Sequence, residues 1–182
     1  MLISIEKVPN FLTAMRLVFV PIICGLMYVD THLTRILAIV FSAVACITDF
    51  FDGKIARKYN VVSAFGRCMD PIADKVLVMT LIVMLVYLEK AMVFPCIAIL
   101  FREFVIAGIR EFVAKENSVS IPVSKLAKMK TATQMVSLMF LMIFGTNAIL
   151  YVIGNIFLTI AAVLSIITSI QYIASIKKYI AM

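Results

Sequence analysis

Charge is scarce in this chain: 15% of its 182 residues are Asp, Glu, Lys or Arg, against 64% that are hydrophobic. A soluble domain is ordinarily about 45–50% apolar, and a globule of 20.3 kDa has no interior large enough to hide the excess. A soluble fold is thereby excluded. The four cysteines, Cys24, Cys46, Cys68 and Cys96, are widely spaced and form no C-x-x-C pair. That argues against a zinc site and against a disulfide framework, and they read as small buried hydrophobes. The single histidine, His32, falls in a short polar connection, where a solvated side chain is the natural reading. Internal repeats, low-complexity segments and a separate polar domain are all lacking. The opening Met1-Leu2-Ile3-Ser4-Ile5-Glu6-Lys7 has no basic n-region and no small-residue cleavage site after the first apolar run. That run is therefore expected to be a retained span.

What is present is a series of long apolar runs with a mean hydropathy of +1.11. About 20 mainly apolar residues are needed to cross a ~30 Å hydrocarbon layer. The candidates are Phe11–Val29, Leu33–Arg57, Ser63–Leu88, Met92–Ala114, Leu126–Phe144 and Tyr151–Ile176. Turn signals at Asp30-Thr31-His32, Glu89-Lys90 and Gly145-Thr146-Asn147 separate several of them. The expected fold is all-α: a polytopic membrane protein with a six-helix transmembrane bundle. The first ten residues are read as a short interfacial helix, and residues 1–182 as one membrane domain.

Lys and Arg placement orients such a chain, because cytoplasmic loops carry the excess of positive charge. With an even number of spans both termini share a side. Of the 17 Lys and Arg, all but Arg35 and Lys90 fall on that side, which is therefore expected to face the cytosol. Basic clusters there suit an anionic lipid surface or a phosphorylated substrate, and composition does not separate the two. The second span, Leu33–Arg57, would be about 38 Å long at 1.5 Å per residue. Its last two turns should emerge near the lipid headgroups, at the depth of the phosphates.

Those turns carry the residues that need explaining. Asp49, Asp52, Gly53 and Ala56 stand at i, i+3, i+4 and i+7, one face of a helix. In the third span Gly66, Asp70 and Asp74 step by four, with Pro71 expected to kink that helix or start it afresh. An ionised carboxylate in a span costs several kcal/mol unless it is paired or wetted. Four together require cations, and ligation by oxygen alone favours hard divalent ions such as Mg²⁺ or Mn²⁺. A salt-bridged rim with Lys54, Arg57, Lys58, Arg67 and Lys75 is the bland alternative. The small residues Gly53, Ala56 and Gly66 leave room for a flat or phosphorylated ligand, although close helix packing would use them equally well.

Read as a string, Asp49 to Asp74 is D-x-x-D-G-x-x-A-R followed by G-x-x-x-D-x-x-x-D. This resembles the signature of the CDP-alcohol phosphatidyltransferases at every defined position. The resemblance implies a pair of divalent ions held by Asp49, Asp52, Asp70 and Asp74, with Asp74 also the general base. It implies that Gly53, Ala56, Arg57 and Gly66 border the nucleotide of a CDP-linked lipid. Two metals about 4 Å apart can neutralise a pyrophosphate and assist an in-line displacement at phosphorus. A carboxylate beside them can accept the proton of an attacking alcohol.

Two further regions extend the resemblance over almost the whole chain. The opening Asn10, Thr13, Arg16 and Pro21 is similar to the N-x-x-T-x-x-R-x-x-x-x-P of bacterial members, which places Asn10 and Thr13 near the CDP-lipid; an interfacial polar cap is the alternative for Asn10. Downstream, Arg102-Glu103-Phe104, Gly108-Ile109-Arg110, Ser124, Lys128, Lys130-Thr131 and Gln134 resemble the branch of the family whose acceptor is glycerol 3-phosphate. Ala127 stands where that branch usually has glycine. A phosphate that does not react must be held apart from the metals, and Arg110, Lys128 and Lys130 offer charge-assisted donors for it. Arg102 lies deeper, where pairing with Glu103 or Glu111 is the alternative, and the lysines could equally be positive-inside anchors.

The expectation is thus transfer of a phosphatidyl group from CDP-diacylglycerol to glycerol 3-phosphate, in a bacterial cytoplasmic (inner) membrane, by a multi-pass protein with its active site on the cytosolic side. Membrane lipid and a second copy in a homodimer are the other expected partners, and no nucleic acid is expected. A sister enzyme using serine or inositol phosphate is one rival. A cation transporter is another, weakened by the lack of a matching polar set on the opposite side.

Overall fold

The computed structural model describes the backbone of residues 8–59, 64–117, 125–144 and 147–180, with the side chains of 8–10, 49–59, 64–68, 70, 71, 74, 114–117, 125, 128, 144 and 177–180 outside the described residues. Six α-helices follow one another along these segments: α1 Val8–Val29, α2 His32–Tyr59, α3 Ala64–Tyr87, α4 Val93–Asn117, α5 Lys125–Phe144 and α6 Ala148–Ile180. Each coincides with one apolar run. No strand occurs among the described residues.

The helix ends are set by local chemistry. Asn147 caps α6, its Oδ1 accepting from the backbone N–H of Ile149 at 3.1 Å and of Leu150 at 3.3 Å. At the start of α2, Thr31 and Thr34 cap each other reciprocally: the Thr34 N–H donates to Thr31 Oγ1 at 3.3 Å, and the Thr31 N–H to Thr34 Oγ1 at 3.0 Å. The α3 terminus closes as a Schellman turn, with Lys90 N–H on Leu85 O at 2.8 Å, Glu89 N–H on Val86 O at 3.0 Å, and Glu89 at φ 56°. α3 runs through Pro71 as one helix, so Pro71 does not begin a new one.

The chain divides into two compact units, Met1–Met84 and Leu85–Met182. In the first, α1 and α2 pack as an antiparallel pair about their two-residue connection. Phe19 meets Phe41 edge to face at 5.2 Å, and Ile23, Met27, Ala38 and Ala45 lie buried along the seam. Asp30 accepts two bonds from Arg35, at 2.7 and 3.1 Å, so that basic residue is matched by its own carboxylate.

In the second unit α6 packs against both α4 and α5. The offset between contacting residues is 63 both for Met92 with Asn155 and for Arg102 with Ser165, so α4 and α6 run parallel. Along the described part of α6 the buried positions are Gly154, Asn155, Leu158, Ala161, Ala162, Ser165, Thr168 and Ile176, which fall on one helical stripe. Its outward positions are large and apolar, including Ile149, Ile156, Ile160, Val163, Ile167 and Ile170.

That arrangement inverts a soluble protein. Thr13, Arg16, Ser42, Lys130, Gln134, Ser137, Asn155, Ser165 and Thr168 are buried, while Phe94 is 86% and Phe101 70% exposed. Soluble monomers rarely expose so much contiguous apolar surface, and small or hydroxyl-bearing residues are what membrane helices place between themselves. The hydroxyls of Ser42, Thr159 and Ser169 bond the carbonyl four residues back, at 2.7, 2.8 and 2.7 Å. The solvent these outer faces match is hydrocarbon: this is an all-α membrane protein. Phe11–Val29 and Ala148–Ile176 are long and apolar enough to span by themselves, whereas the apolar runs described in α2, α3 and α5 are shorter.

Candidate active site

The carboxylate motif stands on two continuous helices. α2 carries Asp49, Asp52, Gly53, Ala56 and Arg57 on its last turns, and α3 carries Gly66, Asp70 and Asp74 on its first. Helical backbone through both stretches confirms the spacings on which a common face depends. Asp49 and Asp52 stand seven residues, about two turns, after Ser42 and Ala45, both fully buried. Asp70 and Asp74 stand the same distance before Leu77 and Leu81, also buried. The packed stripe of each helix therefore leads in register to its aspartate positions. The side chains of these eight residues lie outside the described residues.

The α1–α2 hairpin carries the opening motif to the same level. The Phe19–Phe41 contact sets the antiparallel register, and three to nine residues further out Arg16, Thr13 and Asn10 come level with the part of α2 that runs up to the motif. Thr13 and Arg16 are buried, at 0% and 1% exposure, a costly place for a guanidinium unless it serves a polar interior. The Asn10 side chain lies outside the described residues. Cys24, Cys46 and Cys96 form no disulfide, and the Cys68 side chain lies outside the described residues.

The basic residues of the second unit separate into two environments. Arg110 is exposed, and its guanidinium lies over the Tyr172 ring. Lys130 is buried and its Nζ meets Glu103 Oε1. The same oxygen accepts from Arg102 Nη1 at 3.0 Å. Arg102 spends its other donors on α6, with Nε on the Ser165 carbonyl at 3.1 Å and on Ser169 Oγ at 2.7 Å, and Nη2 on Thr168 Oγ1 at 3.2 Å. Arg102 thus takes the internal pairing with Glu103. The Lys128 side chain lies outside the described residues.

Glu103 and Arg16 stand outside the site residues read from sequence, yet the structure ties Glu103 to Lys130 and buries Arg16. Glu103 was legible within Arg102-Glu103-Phe104 and as a partner for Arg102, but its link to Lys130 was not, because it crosses 27 residues. Arg16 carried a signal, a lone cation within an apolar span, which by itself marks function.

Comparison with known proteins supplies the rest. The family model for CDP-alcohol phosphatidyltransferase matches residues 6–168. A Rickettsia bellii protein is 48% identical over 177 residues, covering 96% of this chain and 97% of its own length. A Rickettsia typhi protein is 45% identical over the same number of residues, and one from Shigella flexneri serotype 5b is 32% identical over 172 residues, covering 93% of this chain and 94% of its own. All three bear the name CDP-diacylglycerol–glycerol-3-phosphate 3-phosphatidyltransferase. The resemblance read from Asp49 to Asp74 is borne out along the length of the chain: it belongs to the CDP-alcohol phosphatidyltransferase family.

Proposed function

We propose that this protein transfers the phosphatidyl group of CDP-diacylglycerol to glycerol 3-phosphate, giving phosphatidylglycerol phosphate and CMP. The observation that carries the proposal is near full-length similarity to proteins named for that reaction, reaching 48% identity over 96% of the chain. An intact aspartate pattern on two helices supports it.

The residues divide the work as follows. Asp49, Asp52, Asp70 and Asp74 offer an all-oxygen donor set that fits a pair of Mg²⁺ or Mn²⁺ ions. When bound, such ions neutralise the pyrophosphate charge. Asn10, Thr13, Gly53, Ala56, Arg57 and Gly66 hold the CDP-lipid. Arg110, Lys128 and Lys130 hold the acceptor's unreactive phosphate. Asp74 takes the proton of the sn-1 hydroxyl as its oxygen bonds to the phosphorus that bears the diacylglycerol. The bond from that phosphorus to the bridging oxygen breaks, and the electron pair leaves with CMP.

The six helices span a bacterial inner membrane with both termini and the site on the cytosolic side. Residues 1–182 act as one membrane domain, paired with a second copy. The placement of Lys and Arg supports this topology, since among the helix connections Arg35 and Lys90 alone fall opposite.

The test is CMP release by purified protein from CDP-diacylglycerol with glycerol 3-phosphate, serine or inositol phosphate, with and without a chelator. Activity with glycerol 3-phosphate, lost on chelation and restored by Mg²⁺ or Mn²⁺, is expected. Asp74→Asn should retain CDP-lipid binding and lose turnover. Near-normal turnover in that variant would refute the base assignment, and a preference for serine would refute the acceptor.

A further inference from the structure

Lys130 is held by a carboxylate that is itself anchored from outside α5. The anchor begins on α6, where Ser165, Thr168 and Ser169 take the Nε and Nη2 donors of Arg102. Arg102 then bonds Glu103 at 3.0 Å, and Glu103 meets Lys130 through the same oxygen. We infer that Glu103 is a positioning residue of the acceptor site: it places the Lys130 ammonium where the substrate's phosphate binds. This deepens the reading of Lys130 as a phosphate donor and rests on it.

The physical need is specific to lysine. Its ammonium is a point charge on a flexible four-carbon stem, and only an external partner fixes where the charge stands. Lys130 is 5% exposed, so its charge is withdrawn from water and requires a counter-charge to stay there. Glu103 has Arg102 beside it in sequence and receives both cations on one oxygen.

A carboxylate beside a phosphate site could instead compete with the substrate, and the two roles have opposite signs. Pre-placing a rotamer-rich side chain lowers the cost of binding, so removing the carboxylate should weaken binding. A competing carboxylate, once removed, should strengthen it.

The experiment is steady-state kinetics of purified full-length protein with CDP-diacylglycerol, Mg²⁺ and varied glycerol 3-phosphate. Glu103→Gln is expected to raise KM for glycerol 3-phosphate about tenfold, equivalent to ~1.4 kcal/mol. Its kcat and its KM for CDP-diacylglycerol should stay within about twofold, since the inferred role concerns only the acceptor's ground-state binding. In a Lys130→Met background the same substitution should add nothing further. Glu103→Asp, which keeps the charge, should recover part of the loss, and it serves as the comparison if Glu103→Gln does not fold. A lowered KM, a parallel rise for both substrates, or full additivity with Lys130→Met would overturn the inference. An unchanged KM for glycerol 3-phosphate in Lys130→Met alone would refute the acceptor-site reading itself, and the inference with it.

Discussion

The guanidinium carbon of Arg110 lies 5.4 Å from the centre of the Tyr172 ring, joining α4 to α6 one helical stretch beyond the Arg102 anchor. A cation over an aromatic face at an exposed site is worth about 0.5–1 kcal/mol. The ring also holds the planar fork flat, which matters if Arg110 is to meet a phosphate with two parallel donors. Tyr172→Leu is therefore expected to raise KM for glycerol 3-phosphate about two- to fivefold with little change in kcat. Tyr172→Phe keeps the ring face and should match the parent protein. Equal effects from the two substitutions in acceptor kinetics would show that the ring is not the operative feature.

Gly154 is buried where α6 meets α5, and a methyl group there would overlap the side chain of Leu141, itself fully buried. The same approach lets Ser137 Oγ donate to the Gly154 carbonyl at 3.2 Å. Alanine would improve helix propensity by about 1 kcal/mol, while overpacking typically costs about 1–3 kcal/mol. The clash should win, because the added methyl would meet Leu141 at its branch carbon as well as at a terminal methyl, and Phe140 beside it. Gly154→Ala is expected to lower the midpoint of thermal inactivation in detergent by several degrees. A higher midpoint would mean that the α5–α6 seam gives way more easily than this contact implies.

Glu89 occupies the left-handed position of the α3 Schellman turn, at φ 56°, where glycine is the usual residue. A side chain there costs about 1–2 kcal/mol, part of which glycine would return as unfolded-chain entropy. Glu89→Gly should therefore stabilise the protein by about 0.5–1 kcal/mol, read as a raised inactivation midpoint with unchanged catalytic constants. A lowered midpoint would show that the Glu89 carboxylate stabilises its turn by more than its backbone strains it.

Much of the fold was legible from one dimension because the bilayer imposes a length and a polarity on each helix. Six apolar runs became six helices, with ends that moved by up to four residues; at one of them Asn147 caps α6 so that it starts at Ala148, three residues before the run read from hydropathy. Of the two roles read for Pro71, a kink or a fresh start, the fresh start does not occur. The proline lies near the beginning of α3, in the eighth position, and the helix continues through it. The aspartate spacing was equally readable, since i, i+3 and i, i+4 acquire meaning as soon as the backbone is helical, and α2 and α3 are helical there. The basic cluster was not. Arg110, Lys128 and Lys130 looked alike as letters, yet Arg110 lies on an aromatic ring and Lys130 is buried on a carboxylate.

Sequence by itself determined the class of solvent, the number of apolar helices and the helical spacing of the carboxylates at 49, 52, 70 and 74, because hydropathy and helical spacing are properties of neighbouring residues. Tertiary structure decided which polar groups meet across helices. Glu103 and Lys130 are 27 residues apart, and Arg102 and Ser165 are 63 apart. Such pairs form only when packing withdraws both partners from solvent, and a buried charge then accepts whatever counter-charge the neighbouring helix presents.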